Sequence, residues 1–242
     1  MRVGIITQAR TTSTRLPRKV LMTAGGRTML DHHLDRLTRS GLPVYVATTT
    51  NATDDDIVSL AAGRGLPVHR GSEHDVLSRF SGCAAEHHLD IVVRVTSDCP
   101  LIDGALIASA VEDFVAADDP WLYLSNSLER TFPRGFDFEV FSAEALFDAQ
   151  EHASEEVERE HVTPYLYANR TGRMHLRNTA WPEDKSAYRV TLDTADDFEL
   201  LRRLIEEHQA HTLSCAQIIE VLDAHPRLAA INEHVEQKKL GR

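Results

Sequence analysis

Through the first half of the chain, apolar runs of strand length alternate with longer amphipathic segments, and this alternation limits the fold more than any other feature of the sequence. "RVGIIT", "LPVYVATT", "LPVHR" and "LDIVVRVT" read as strands, while "TMLDHHLDRLTRS", "DDDIVSLAAGRG", "SEHDVLSRFSGCAAEHH" and "GALIASAVEDFVAA" carry apolar residues at helical spacing. Strand, helix and strand in succession return the chain in parallel. The pattern therefore predicts an α/β fold, a mostly parallel, mixed sheet with helices on both faces. Thr28 with Asp31 and Ser72 with Asp75 have the spacing that starts a helix, and Gly25 with Gly26 predict a turn just before the first.

The second half is less regular. "FDFEVFS" at 136–142 alternates as a half-buried strand does, and "MHLRN" and "YRVTLD" read as further strands. "SEEVEREHVTPYLYANR" predicts a helix interrupted at Pro164. From Thr194 onward "TADDFELLRRLIEEHQ", "CAQIIEVLDAH" and a last turn or two after Pro226 predict a helical tail. Its apolar residues fit a homodimer contact and fit equally well packing on the chain's own core. At 242 residues with 42% hydrophobic content, one large domain with a small appendage accounts for the length.

Charge and cysteine usage exclude several functions. A formal charge of −11 argues against a general nucleic-acid binder, which needs a broad basic face. The apolar run after Met1 is too short for a secretory signal, and no stretch approaches the roughly 20 apolar residues a bilayer requires. Cys83, Cys99 and Cys215 are widely spaced and form no C-x-x-C pair. They indicate neither a disulfide framework nor a zinc site, and a cytoplasmic protein is expected.

Against that acidic background, the segment after the first strand stands out. Arg10, Arg15, Arg18 and Lys19 are interleaved with Thr11, Thr12, Ser13 and Thr14. In open α/β sheets ligands collect outside the carboxyl ends of the strands, where this loop lies. Three guanidinium groups, an ammonium and four hydroxyls suit a polyphosphate. As residues of an accessible loop, Arg10 and Lys19 are expected to contribute no more than about half a kcal/mol to stability. Two acids, Asp98 in "VVRVTSDCPLID" and Asp193 in "YRVTLDTADDFE", directly follow predicted strands. Two such carboxylates facing a phosphate-binding loop match the oxygen ligands of Mg2+, although Asp193 also fits helix capping and Asp98 a turn before Pro100.

Taken together, these stretches resemble one family. "ARTTSTRLPRKVL" is similar to the A-R-x-x-S-T-R-L-P-x-K-x-L signature of the cytidylyltransferases that activate sugar acids, the CMP-KDO synthetases and, more loosely, the CMP-sialic acid synthetases. "RVTSDCPLID" and "LDTADDFE" resemble that family's metal-binding segments. "HRGSEHDVLSRF", "FPRGFDFEVFS" and "EREHVTPYLY" narrow the resemblance to the branch named for spore coat polysaccharide biosynthesis protein F. It spans residues 2 to 205 and thins out in the C-terminal helices. Where the sialic acid enzymes carry glycines this chain has Thr11 and Thr12, and the Gly-Asp-Glu-Pro of the KDO enzymes is here Ser97, Asp98, Cys99 and Pro100.

The resemblance implies a nucleotide-diphospho-sugar transferase-like, GT-A-type three-layer sandwich, with residues 1–205 as the nucleotidyltransferase domain and 206–242 as its helical extension. It implies transfer of CMP from CTP to a hydroxyl of a small acidic sugar-like acceptor, with Mg2+ as cofactor. Ala9, Arg10, Ser13, Arg15, Lys19 and Ser97 would contact the nucleotide, Arg10 and Lys19 offsetting charge as pyrophosphate departs, and Asp98 and Asp193 would hold the metal. For the acceptor, Arg134, Asp137, Glu139, Arg159 and His161 are the candidates, because arginines hold carboxylates and acids hold hydroxyls. Solvated polar faces explain these residues equally well. The pairs His32/His33 and His87/His88 lack metal-ligand spacing and are expected to be surface or packing residues. A phosphonate acceptor, a metal-dependent glycosyltransferase and a catalytically silent nucleotide-binding protein remain open alternatives. The glycosyltransferase lacks an obvious D-x-D after the right strand.

Overall fold

The structure is a computed structural model that describes residues 1–236. Its strands are β1 (Val3–Gln8), β2 (Thr23–Ala24), β3 (Arg27–Thr28), β4 (Val44–Thr49), β5 (Val68–Gly71), β6 (Ile91–Thr96), β7 (Leu122–Ser125), β8 (Glu139–Ser142) and β9 (His175–Asn178). The helices are α1 (Met29–Thr38), α2 (Asp55–Gly63), α3 (Val76–Glu86), α4 (Gly104–Ala117), α5 (Ala143–His152), α6 (Glu156–His161), α7 (Pro164–Ala168), α8 (Ala195–His208), α9 (Cys215–Ala224) and α10 (Pro226–Ala229). Seven strands form one sheet in the order β5-β4-β1-β6-β8-β7-β9. The first four run parallel, β8 is antiparallel to both neighbours, and β9 is parallel to β7.

Both faces of the sheet are covered, as expected for a largely parallel sheet. On one side Ile5, Val46 and Val93 pack with Leu30 and Leu34 of α1, Ile57 of α2, and Ile107 and Phe114 of α4. On the other, Ile6, Ala47 and Val92 meet Phe80 of α3, Leu146 of α5 and Leu166 of α7. A third cluster joins Met29, Phe132, Phe136, Val190 and Leu192 to Leu201 and Leu204 of α8 and Ile218 and Leu222 of α9. The helical tail is thus seated on the chain's own core. Residue 205, the expected boundary, falls within α8, and residues 237–242 of the expected extension lie outside the described residues.

Local chemistry sets the element ends. Gly25 and Gly26 have φ of +56° and +76°, conformations open to glycine, and close the two-residue turn between β2 and β3. Thr28 and Asp31 form the expected reciprocal cap of α1. At α3 the cap is Asp75 rather than Ser72, because the Asp75 carboxylate reaches the Ser78 amide while Ser72 only accepts from the Asp75 amide.

Other expectations need correction. Only Glu139–Ser142 of the 136–142 run pairs as a strand. "YRVTLD" forms no ladder beyond a single bridge from Arg189 to Arg134. Its amides are divided between two segments: Val190 donates to the Arg134 carbonyl and Leu192 to that of Asp98. β7, only "LYLS", escaped notice because four continuously buried residues show no period. Of the expected surface or packing roles, His32 and His33 have the packing one and lie in the core. His33 spans the β1 strand and the loop after β6, Nδ1 donating to the Cys99 carbonyl and Nε2 accepting from the Thr7 hydroxyl, both at 2.8 Å. Burial lowers its pKa to about 4, so the ring is neutral and one proton serves each bond in a fixed sense.

Arg36, 2% exposed, fastens the tail to the sheet layer by donating to the carbonyls of Ile102 (2.5 Å), His211 (3.2 Å) and Leu213 (2.7 Å). Arg36→Met is therefore expected to strand those carbonyls and cost about 3 kcal/mol. For a chain of this size that is a fall in Tm of about 6–12 °C by calorimetry. An unchanged Tm contradicts the assignment.

Candidate active site

The register that pairs Gln8 with Thr96 brings the loops after β1 and β6 side by side at the carboxyl edge. The segment entering α8 closes the third side, since Leu192 donates to the Asp98 carbonyl at 2.7 Å. Into this corner projects Lys19, from a turn of 3-10 helix at Lys19–Leu21. Its Nζ donates to Asp98 Oδ2 at 3.0 Å and to Asp193 Oδ1 at 2.8 Å. Behind it Asp193 Oδ2 accepts from Arg189 at 2.8 Å and pairs with Arg15 at 3.0 Å, while Arg189 Nε donates to Asp197 Oδ1 at 2.8 Å. Thr194 caps α8 with Asp197 as its reciprocal partner. The capping role thus falls to residues after Asp193, whose carboxylate faces the cations.

These charges stabilise one another. Burial alone would lower the Lys19 pKa, but Asp98 and Asp193 more than offset it and the amine stays protonated. Burial likewise works to raise the Asp98 carboxyl, yet the Lys19 ammonium and the Thr96 hydroxyl hold it at about 2. With only 12% of its side chain exposed, Lys19 is not the accessible loop residue that the sequence suggests. Its removal would leave two facing carboxylates without their shared cation.

The remaining loop cations diverge. Arg10 points across to Glu73 at 3.7 Å, and Arg18 turns outward to Asp56 at 2.6 Å. Ala9 and Ser97 are buried beneath the loops, their amides bonded to the Ala47 and Gln8 carbonyls at 3.1 Å. Ser13 Oγ accepts from the Leu16 amide at 3.4 Å. Asp54, fully buried, fixes the loop by accepting from the Thr11 amide (2.8 Å), the Thr11 hydroxyl (2.6 Å) and the Thr49 hydroxyl (2.5 Å).

The acceptor candidates do not form one group. Arg134 is half-buried and bridges to Arg189 beside the Asp193 corner. Burial and the neighbouring Arg130 lower its pKa from the usual arginine value, as does Arg189. Asp137 takes a two-pronged contact from Arg130 at 2.6 and 3.0 Å. Glu139 is an internal support rather than a surface group: it pairs with Arg94 and accepts from Tyr123 (2.5 Å) and Thr163 (2.6 Å). Arg159 pairs with Asp75 and donates to the Gln150 carbonyl at 3.0 Å. With Arg10, Glu73 and His74 it lines a separate cleft of about 450 Å³. His161, at the end of α6, lies 4.0 Å from Glu160. Arg189 and Glu73 were not singled out in the sequence, although an arginine four residues before Asp193 was a readable signal. A larger cavity, about 670 Å³, sits at the amino edge of the sheet among Phe114, Phe147 and four carboxylates, with no lysine or arginine, and is unsuited to a triphosphate.

No cluster of three or more candidate metal ligands occurs among the described residues. Two carboxylates bridged by an ammonium are nevertheless a donor set for a hard cation that completes its shell with substrate oxygens, as Mg2+ does. Lys19 stands where such an ion fits.

Comparison with known proteins agrees with this architecture. Residues 4–219 match a family described as cytidylyltransferase. An uncharacterized protein of Methanocaldococcus jannaschii is 38% identical over 240 residues, covering 98% of this chain and 96% of that one. The spore coat polysaccharide biosynthesis protein SpsF of Bacillus subtilis is 30% identical over 238 residues, 94% of this chain and 97% of its own. A cytidylyltransferase structure from Leptospira borgpetersenii superposes with a TM-score of 0.91 at 34% identity, over 99% of both chains. A CMP:2-keto-3-deoxy-manno-octonic acid synthetase complexed with CTP superposes at 0.63 with 17% identity, over 86% of this chain and 100% of that one, a likeness of fold. The sheet with its helical layers is that of the nucleotide-diphospho-sugar transferases.

The Asp98–Lys19 contact has a measurable acid limb. The folded pKa of about 2 lies below the ordinary 3.8, so the contribution is complete above pH 4 and is lost as pH falls toward 2. It amounts to about 2 kcal/mol. In urea melts between pH 5 and 2, Lys19→Met is expected to be the less stable protein at pH 5 and to lose less stability than the unaltered protein as pH falls, because without the ammonium burial works against holding the Asp98 carboxyl below its ordinary value. Superimposable pH profiles contradict the pairing.

Proposed function

The chain belongs to the cytidylyltransferase family, and on that premise we propose that it transfers CMP from CTP to a hydroxyl of a small acidic sugar-like acceptor in the cytoplasm, with Mg2+ as cofactor. The observation that carries the reading is the Lys19 ammonium shared between Asp98 and Asp193, with Arg15 alongside. The acceptor hydroxyl oxygen attacks the α-phosphorus of CTP as the bond to the bridging oxygen breaks; pyrophosphate leaves with the bonding electrons, and the hydroxyl proton is released to water. Such a reaction asks the protein mainly for alignment and charge stabilisation. Lys19 leaves its carboxylates for the phosphates, Arg15 and Arg10 approach from either side, the Ser13 hydroxyl lies along the path, and the buried chain at Ala9 and Ser97 supports it from beneath. Asp98 and Asp193, so released, are the residues that would hold the magnesium, which supplies charge neutralisation at the α-phosphate.

On the acceptor side, Arg134 has the charge to hold a carboxylate and Asp137 the oxygens to accept from hydroxyls. In this proposal Glu139 acts indirectly, by fixing Arg94, and Arg159 and His161 border the neighbouring cleft. The free, buried state of Cys83, Cys99 and Cys215 favours a reducing compartment. Among the described residues no helix is long and apolar enough to cross a membrane.

Incubation with CTP, magnesium and a panel of nonulosonic acids, other acidic sugars and phosphonates, with pyrophosphate as readout, tests the proposal. Turnover with an acidic sugar is expected, and turnover confined to a phosphonate contradicts the sugar acceptor. Asp98→Asn keeps volume but removes a negative ligand, and is expected to lower the rate about a hundred- to a thousand-fold with the fold intact. Pyrophosphate release near the unaltered rate from folded Asp98→Asn protein would sink the metal-holding role.

A further inference from the structure

The groove of about 670 Å³ at the amino edge of the sheet lies at the opposite end of the strands from the Lys19 corner. Its floor is formed by Leu89, Ile91 and Phe114, all buried, and its walls by the end of α4 and the start of α5. On those walls stand Val115 and Phe147, with 38% and 41% of their surface exposed. Among the described residues four large apolar side chains are exposed, and three of them, these two and Met1, line this groove. A contiguous apolar surface with a polar rim is the mark of an interaction site rather than of scattered surface residues.

The rim carries acids at helical spacing around each apolar residue. Val115 has Glu112 one turn before it and Asp118, the cap of α4, one turn after; Phe147 has Glu144 and Glu151 in the same relation on α5. The amino end of α5 favours Glu144, whereas the carboxyl end of α4 disfavours Asp118. Asp90 and Asp119 also line the groove, Asp90 accepting from the Arg2 amide at 2.6 Å and Asp119 pairing with His175 at 2.6 Å. The Arg2 guanidinium is engaged elsewhere, on the His87 carbonyl at 3.0 Å. A solvated charged face looks different in this protein: on α8, Glu199 and Glu206 pair with Arg202, and Glu207 with Arg203. α4 contains no basic residue at all, and Glu112, Asp118, Glu144 and Glu151 meet no lysine or arginine among the described residues.

We propose that this groove docks a basic segment of another protein, one that presents arginine beside aliphatic side chains. Charge complementarity selects the class of partner: the acids around Val115 and Phe147 lack cations of their own, and a basic segment supplies them. Arginine suits the place because its planar guanidinium stacks on the Phe147 ring while its forked donors reach the neighbouring carboxylates. Its aliphatic neighbours cover Val115 and the floor beneath. A nucleic acid or an anionic lipid surface is repelled by the same rim. A second copy is disfavoured too, since a two-fold contact through this face sets like charges opposite each other. A small cation inside the groove leaves Val115 and Phe147 uncovered on its walls, whereas a protein segment covers both. The groove and the Lys19 corner lie at opposite edges of the sheet, so a docked segment leaves the carboxyl edge open to substrates.

The test is fluorescence anisotropy of three labelled peptides of equal length titrated with the full chain: one of arginine and leucine, one of arginine and serine with the same charge, and one of glutamate and leucine with the same apolar content. The arginine–leucine peptide is expected to bind at least about ten-fold more tightly than either control. Phe147→Ser, and separately Asp118→Asn combined with Glu144→Gln, are each expected to weaken it about ten-fold. Glu199→Gln combined with Glu207→Gln removes the same charge from α8 and is expected to leave binding unchanged. Equal binding of the two arginine peptides, or equal weakening by the α8 variant, shows general attraction to an acidic protein and overturns the proposal. Unchanged affinity in folded Phe147→Ser protein overturns it as well; should that variant fail to fold, Val115→Ser is expected to show the loss in its place, and unchanged affinity there has the same force. Sedimentation equilibrium supplies the remaining outcome: a dimer that Phe147→Ser or Val115→Ser converts to monomer makes a second copy the occupant and contradicts the proposal. None of these readouts requires turnover of CTP, so the docking reading stands or falls apart from the transfer reading.

Discussion

One ammonium group holds together segments far apart in sequence: Lys19 reaches Asp98, 79 residues on, and Asp193, 174 residues on. Two carboxylates directed at one point repel each other, and in a partly buried corner that repulsion is much less screened than in water. The cation converts it into attraction. The corner is held from behind as well. His33 ties the loop after β6 to β1, Asp54 ties Thr11 to β4, and Arg189 with Asp197 fixes the segment that carries Asp193. Each tie joins a site loop to the rigid sheet or to a helix end, so the charged groups are in place before any ligand arrives.

Such an arrangement suits phosphoryl chemistry because it stores counter-charge without leaving it unpaired. In the empty protein the positive and negative groups satisfy one another. In the proposed reaction a triphosphate would take the place of the carboxylates as partner of Lys19, and Asp98 and Asp193 would be left to hold a metal. Charges are exchanged rather than newly buried, which lowers the desolvation cost of assembling a highly charged complex.

Much of this was legible in the sequence. Alternating apolar runs revealed the parallel part of the sheet, since each strand there is buried on both faces and each helix has one apolar stripe. The candidate site was legible as a place in the fold, where charged residues directly follow buried strands, and the structure brings Asp98 after β6 against Lys19 of the loop after β1. What failed did so for identifiable reasons. β7 is too short to show a period, and the 188–193 segment has strand composition but divides its amides between two partners. The loop looked solvated because local composition does not show that Lys19 is enclosed by residues from two distant segments. Glu139 read as a polar surface residue, yet Arg94, Tyr123 and Thr163 satisfy it inside the sheet layer.

The central claim is that Lys19 occupies the place of a divalent cation between Asp98 and Asp193. Electron paramagnetic resonance of Mn2+, a paramagnetic substitute for Mg2+, measures that directly on nucleotide-free protein. Lys19→Met, which removes the ammonium and retains the bulk, is expected to bind Mn2+ at least about ten-fold more tightly than the unaltered chain, because two carboxylates that lose their shared cation attract another. Equal or weaker Mn2+ binding by folded Lys19→Met protein would contradict the account.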